Sequence, residues 1–545
     1  MGVEFVSQPF VCGVLGTVAE QDWRQLLDAS PHGTYSLDDQ RHARFAATAR
    51  SRGLERTRAG WCWGRYIARN ERPVSIGSAS DELGLAGYWR DEESGSIVVH
   101  GDALGFQELY FRVLGDALLF SNRIAPLAAV RPSDALRADW PAWARYFTFL
   151  GFTGSDTGLH DIRRLERSHR LTFTAGVARV DSVLPPAWLA SPSPSGAIDG
   201  LADVLVGVIP RHGRGGIDLT LSGGHDSRLL LAAAQRRKSG GVRAFLTPHE
   251  NGWDDDTRLA REVARAAHIH AREVKWTTHD WIVARKETAQ RLEYQTALHN
   301  WLSPLAQSMH RSQRPLLDGL AGDKLLHYHA KAPDSGSAAY RAGVLRNMGG
   351  WRTAKPGILS DVVRDVFTDI TSEYWDKRTA PWGAHPYAEV LYWIDHRTNR
   401  AIAASPFRLF GPERNVVTPL IDPHFVAAVL GSRHSATTQA DIRQRLLDVL
   451  NPTLAALATT NTLGSRPRSF LPRGLSVPEA RLDLARSLRG LPFVDTLFAP
   501  QTLASLTADR RLDSDALTLL RVAGVLADWY REYGGRLANP YPEWA

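Results

Sequence analysis

A β-rich domain followed by an α/β domain with a parallel sheet and a mostly helical C-terminal part is the architecture this 545-residue sequence predicts. Three observations predict it. Short runs of branched and aromatic residues, separated by turn residues, recur up to Ser182. A Pro/Ser/Ala stretch, LPPAWLASPSPSG at 184–196, then breaks the pattern with linker chemistry. Beyond it, short apolar strands alternate with helical periodicity, which implies a parallel sheet covered by helices. The expected divisions are 1–183, a linker at 184–197, and 198–545.

In chain order, the strand-like runs of the first part are VSIGSA (74–79), SIVVHGD (96–102), LYFRVLGDALLFS (109–121) and RLTFTAGVARVDS (170–182). In the second part they are IDLTL (217–221), VRAFLT (242–247) and RPLLDGL (314–320), each followed by helix-like sequence. From about 337 onward the pattern is mostly helical and rich in arginine and tryptophan.

With 43% hydrophobic and 23% charged residues the composition is that of a globular chain, and disorder, collagen and coiled coil are excluded. No apolar run reaches the length of a membrane span, and MGVEFVSQPF lacks the basic and apolar segments of a secretion signal, so a soluble cytoplasmic chain with no membrane partner is expected. Two cysteines, Cys12 and Cys62, build neither a disulfide framework nor a cysteine-rich zinc site. The net charge of +7 is interspersed with no basic block, and no nucleic-acid partner is expected. Only seven of the 65 basic residues are lysines, the last being Lys377. Arginine stays charged where a buried lysine can shift its pKa, so a step needing a lysine has few candidates.

The segment with the clearest chemistry is Leu221-Ser222-Gly223-Gly224-His225-Asp226-Ser227-Arg228, which follows IDLTL and runs into LLLAAAQRR. Two glycines admit close approach of a ligand, and the helix that follows presents unpaired N–H groups, so this is an anion cradle. Ser222 and Ser227 add hydroxyl donors, and Asp226 stands where it can hold a metal ion beside phosphates. No Gly-Lys-Ser/Thr follows, so this is not a Walker loop. His225 sits inside the loop, either toward phosphate or away from it. The pairs His268/His270 and His327/His329 lack a third ligand motif and read as structural or surface histidines.

Ser-Gly-Gly-x-Asp-Ser resembles the pyrophosphate loop of the ATP pyrophosphatase superfamily, and further segments resemble its asparagine synthetase branch. They are Asp254–Ala264, Asp318-Gly319-Leu320-Ala321-Gly322-Asp323, Val417–Asp422, and, in the first part, Gly101–Tyr110 with LLFSNRIAPL (118–127). The resemblance implies an N-terminal glutaminase-like, Ntn-type α+β sandwich domain ahead of an ATP pyrophosphatase domain. It also implies ATP and Mg²⁺ as cofactors. ATP would lie along Leu221 to Ser227, Leu246, Thr247, Gly319 and Leu320, with Asp226 and Asp323 on the metal. The implied reaction is adenylation of a carboxyl and attack by an amine, with release of AMP and pyrophosphate.

Departures from the family pattern narrow the expectation. A working glutaminase needs an N-terminal cysteine, whereas this chain starts Met-Gly-Val and lacks the family's Asn-Gly-Glu segment. Cys12-Gly13-Val14 resembles the family's Cys-Gly-Ile start and would be exposed only by processing; otherwise Cys12 is a buried small hydrophobe. Leu320 stands where asparagine synthetases have Glu and β-lactam synthetases Tyr. No lysine follows Val417–Asp422, where relatives carry one for acyl transfer, so Lys324, Arg466 and Arg468 are the candidate catalytic cations. This combination looks most like the lasso peptide cyclases, in which a side-chain Asp or Glu carboxyl of a core peptide is joined to the peptide's own N-terminus as a macrolactam. The implied partners are the precursor core peptide, a leader-binding protein and a leader peptidase, and the aromatic segments around Trp301 and Tyr392–Arg397 are candidate peptide contacts. The alternatives are an asparagine or β-lactam synthetase-like ligase for a small acid, and a non-catalytic nucleotide-sensing or RNA-binding protein.

Overall fold

Alternation along one strand decides how the N-terminal part is layered. In the computed structural model, Val11 and Leu15 of strand Val11–Leu15 enter a core shared by two sheets, while Cys12 and Val14 enter a second core made largely by helices. Successive side chains of a strand point to opposite faces, so a strand buried on both sides carries apolar residues throughout. The structure describes residues 9–30, 35–40, 42–48, 54–56, 60–63, 86–91, 94–190, 198–209, 215–250, 252, 254–310, 312–326, 336–411, 414–431, 442–460, 462, 473–507 and 513–544. Two candidate segments, VSIGSA at 74–79 and His327–His329, lie outside these.

One antiparallel sheet has the order Ile162–Arg164, Tyr110–Leu114, Ala117–Ser121, Val11–Leu15, Ala43–Thr48, Tyr35–Gln40. The other runs Val177–Ser182, His169–Thr174, Ile97–His100, Ala86–Arg90, Gly60–Trp63, Leu54–Arg56. Phe45, Trp61, Trp63, Tyr88, Val99 and Phe120 fill the space between them, with Phe45 stacked on Tyr88 at 4.8 Å. The tandem runs at 109–121 and 170–182 each fold as a hairpin, turning at Gly115 and Gly176, both at positive φ.

The second part holds a five-stranded parallel sheet in the order His270–Glu273, Val242–Leu246, Ile217–Thr220, Leu316–Leu317, Val416–Val417. Expected strands appear at 217–220 and 242–246, but RPLLDGL contributes only two paired residues, because its Asp318-Gly319 leaves the sheet at once. Asp218, fully buried in the central strand, is paired with Arg414 at 2.6 Å and Arg243 at 3.0 Å and accepts from Ser312 Oγ at 2.6 Å, which fastens three strand regions together. Helix His225–Arg236 is buried along nearly its whole length by the sheet and by helices Ile198–Val208 and Ile442–Leu450. From 338 to 533 the described chain is mainly helical. Among the described residues no helix is long and apolar enough to cross a membrane.

The two parts are not separate bodies. One core contains Cys12 and Val14, Trp140 to Tyr146 of helix Trp140–Phe149, and Leu519 to Trp529 of helix Ser514–Tyr533.

Candidate functional site

Strand order in the parallel sheet reverses between Ile217–Thr220 and Leu316–Leu317: from the central strand the chain first builds outward on one side, then on the other. In open parallel sheets the crevice beyond the carboxyl ends at such a reversal is where ligands sit. Both glycine-rich segments emerge there.

Leu221 keeps one last sheet bond, its N–H donating to the Phe245 carbonyl at 2.9 Å. Ser222 to Gly224 then turn the chain into helix His225–Arg236, whose N-cap is Gly224 and whose first turn receives no side-chain cap. The first N–H groups of a helix have no intrahelical acceptor and carry a partial positive charge. The loop is held from beneath. Gly223 N–H donates to Asp256 Oδ1 at 2.9 Å, and a Cβ at Gly223 would lie 2.9 Å from both the Asp256 carbonyl oxygen and Leu259 Cβ, so only glycine fits. Ser222 N–H donates to Ser227 Oγ at 3.1 Å, and the two hydroxyls are 3.0 Å apart. Burial raises the Asp256 carboxyl above its ordinary range, partly offset by the Gly223 bond.

The second loop meets the first at Asp226. A Cβ at Gly322 would stand 2.5 Å from Asp226 Cγ and 2.8 Å from its Oδ1, so the missing side chain at 322 is what admits the carboxylate. Asp323 follows, more than half exposed, with Lys324 Nζ 3.0 Å from its Oδ2. Lys324 Nζ also lies 4.0 Å above the Trp393 ring, an arrangement that keeps the side chain aimed. Leu320 is buried and its N–H donates to Asp318 Oδ1 at 3.0 Å. Burial pushes the Asp318 carboxyl up to about 6. On the adjacent strand Leu246 is buried, and Thr247 Oγ1 donates to the Val274 carbonyl at 2.9 Å, which closes the edge of the crevice. His225 is buried at the start of the helix.

Two arginines here escaped sequence reasoning. Arg443, buried on helix Ile442–Leu450, places Nη1 3.9 Å from Asp226 Oδ1. Arg228, fully buried, donates to the carbonyls of Leu454, Leu457 and Ala458 and, at 3.4 Å, to that of Gly223, tying the segment before Thr459 to the phosphate-type loop. The charge inside the run RLLLAAA was a visible signal for Arg228; nothing local marks Arg443. Arg466 and Arg468 lie outside the described residues. His268 and His270 are exposed. Tyr392 is core, and Asp395 of the same segment is ion-paired to Arg167 at 2.8 Å; Trp393 is the member of that segment beneath Lys324.

These residues fit a magnesium-bound triphosphate. A helix N-terminus, two hydroxyls, two carboxylates and two cations converge on one crevice. Among the described residues no group of three or more His, Cys, Asp or Glu side chains is placed to hold a metal; Asp226 and Asp323 would hold a magnesium ion that keeps part of its shell for phosphate oxygens and water. Cys12 is fully buried in a strand flanked by neighbours on both sides, opposite Ala46 and Ser121, and burial pushes its thiol up to about 12. A neutral thiol is a poor nucleophile.

Residues 216–401 match the family described as asparagine synthase, which spans the parallel sheet up to its last crossover and includes both loops. No curated protein matches the chain. Solved structures that resemble it include an allosteric regulatory enzyme of purine biosynthesis (10% identity over 48% of this chain and 80% of that one, TM-score 0.20). Two others are NMN synthetase from Francisella tularensis (14%, 48% and 96%, TM-score 0.17) and glutamine phosphoribosylpyrophosphate amidotransferase from B. subtilis with ADP and GMP (10%, 62% and 79%, TM-score 0.19). TM-scores of this size carry no argument about architecture or chemistry.

Proposed function

We propose that the chain is an ATP-dependent, AMP-forming amide ligase, and that its substrate is a peptide closed into a macrolactam through a side-chain carboxyl, as in the lasso peptide cyclases. The observation that carries the ligase reading is the contact of Asp226 with Gly322 at the strand-order reversal, inside the stretch that matches the asparagine synthase family. Magnesium bound there would offset charge on the departing pyrophosphate. The rest falls to this chain's own groups. The N–H groups after Gly224, with Ser222 and Ser227, bind phosphate oxygens; Asp226 and Asp323 would hold the ion; Arg443, 3.9 Å from Asp226 Oδ1, helps orient that carboxylate.

Support for the peptide reading is negative at two positions and positive at one. The buried Leu320 offers no polar group toward a small acid or an ammonia equivalent, and the buried, protonated Cys12 releases no ammonia from glutamine. Lys324, fixed between Asp323 and Trp393, supplies the positive charge for acyl transfer in a chain with no lysine after Lys377. Arg466 and Arg468 remain the other candidates for that charge. The core peptide would come from a leader-binding protein and a leader peptidase. The test is incubation with ATP, Mg²⁺ and a leaderless peptide bearing an Asp or Glu at the ring position. Formation of AMP with loss of one water from the peptide is expected. AMP formation only with small carboxylic acids, or conversion of glutamine to glutamate, would overturn the peptide reading.

A further inference from the structure

Lined by no residue of either glycine-rich loop, a cavity of ≈ 260 Å³ opens at the seam between the antiparallel sheets and the helical region. One wall is the segment 164–168, following strand Ile162–Arg164. The other is helix Asp361–Thr379 with the π-helical turn Ile394–Ile402. Five cations line it, Arg164, Arg167, Lys377, Arg378 and Arg400, against two carboxylates, Glu166 and Asp395. Both carboxylates are taken: Asp395 pairs with both Arg167 nitrogens at 2.8 and 2.9 Å, and Glu166 pairs with Arg378.

The remaining guanidinium groups are buried and bonded only to neutral oxygens. Arg164 donates to the carbonyls of Asn399 and Gly105 at 2.9 and 2.6 Å. Arg400 donates to the carbonyls of Phe152 and Asp156 and to Gln295 Oε1, and its Nη1 is buried with no hydrogen-bond acceptor. Each repels the other: burial first, then the Arg164 charge, lower Arg400 to about 10. The nearby carboxylates pair directly with other arginines, Glu108 and Glu293 both with Arg408 and Asp156 with Arg145, and reach Arg164 and Arg400 only through space. Burying two like charges with no carboxylate hydrogen-bonded to either is costly, and an anion in the cavity would offset it. Trp382, held under Arg167 at 4.7 Å, gives the cavity an apolar wall beside its charge.

We propose that this cavity binds a small ligand bearing an oxyanion, a carboxylate or a phosphate, held by Arg164, Arg400 and the exposed rim residue Lys377. The volume lies below the ~300–1,000 Å³ of drug-sized sites, which suits a metabolite-sized anion or the charged end of a longer chain. This assignment is independent of the ligase reading. It also has a route to the other site: the turn Ile394–Ile402 carries Asn399 and Arg400 on the cavity and Arg397 against Trp393, on which Lys324 rests.

Calorimetric titration of the full chain with inorganic phosphate and, separately, with succinate, at ionic strength matched by chloride, tests the proposal. Saturable binding is expected with at least one probe. Stronger binding of phosphate identifies phosphate esters as the ligand source, and stronger binding of succinate identifies carboxylates. Lys377→Glu reverses a charge on an exposed side chain and leaves the core intact; it should weaken binding roughly tenfold or more. Ser222→Ala removes a donor of the other crevice, where phosphate also has a cradle; the binding that is sensitive to Lys377→Glu should survive it. Neither probe binding above the chloride control, binding unaffected by Lys377→Glu, or binding lost in Ser222→Ala would each overturn the site.

Discussion

Asp226 concentrates the chemistry of the crevice, because a helix N-terminus, a missing side chain at Gly322 and the Arg443 guanidinium all converge on its carboxylate. Asp226→Asn should reduce ATP–pyrophosphate exchange by at least about a hundredfold while the melting temperature stays close to that of the parent, since the group acts on the ion and contributes little to the core. Gly322→Ala gives a sharper version of the same test. Its methyl overlaps Asp226, so exchange should fall although no ligand has been removed, and Gly319→Ala, 3.1 Å from Asp226 Cβ, should be milder. Asp318 supplies a test in pH. Its folded pKa of about 6 lies above the ordinary carboxyl value of 3.8, so the folded state binds the extra proton between those values. Stability from this group therefore falls as pH rises from 4 to 6, at roughly 1.4 kcal/mol per unit. Urea melts of Asp318→Asn should lack that loss; identical slopes in variant and parent would refute it. Residues of this kind were legible when they sat in glycine-rich segments after apolar strands. Arg443 was not, because its role comes from a helix that reaches the loop only after the chain has passed through all four other strands of the sheet.

Arg228 shows how an element can be locked by one charge. Its guanidinium satisfies the carbonyls at the end of helix Pro452–Ala455 and one loop carbonyl, so helix His225–Arg236 and the approach to Thr459 move together. Arg228→Met, close in volume, should cost about 2–4 kcal/mol, because four carbonyls lose a charged donor. Amide exchange should rise in 454–460 before it rises in the sheet. Hairpins and the strand–loop–helix unit at 217–236 were legible because period-two alternation, glycine turns and a following helical period are local signals. RPLLDGL announced the strand Leu316–Leu317 but not its two-residue extent, and Val416–Val417 was not legible, since two residues carry no period and their pairing is set by the sheet that receives them. The two-sided burial of Val11–Leu15 was equally hidden: its second face is covered by helices hundreds of residues later.

At the scale of the molecule, His100, His299 and His396 are, among the described residues, histidines lowered by burial to about 4 and so held neutral. Unfolded, they would take up protons near 6.5. The unfolded chain therefore binds more protons between those values, and stability that is complete above 6.5 is lost as pH falls toward 4, each group contributing on the order of 1.4 kcal/mol per unit. Thermal melts from pH 7 to pH 4 should show this decline; a flat profile would exclude it. The common core has a further consequence. Trp140 and Trp143 from the first part rest against Trp529 at 6.0 and 5.1 Å, and Trp140 Nε1 donates to the Asn539 carbonyl. Residues 198–545 produced alone should consequently aggregate, whereas a separately folding unit would remain monomeric. During synthesis at about 5–20 residues per second, the helix bearing Trp529 leaves the ribosome roughly 20–80 s after the tryptophans it must cover. For that interval the nascent chain presents an uncovered aromatic face, a window for aggregation that closes once the last long helix is in place.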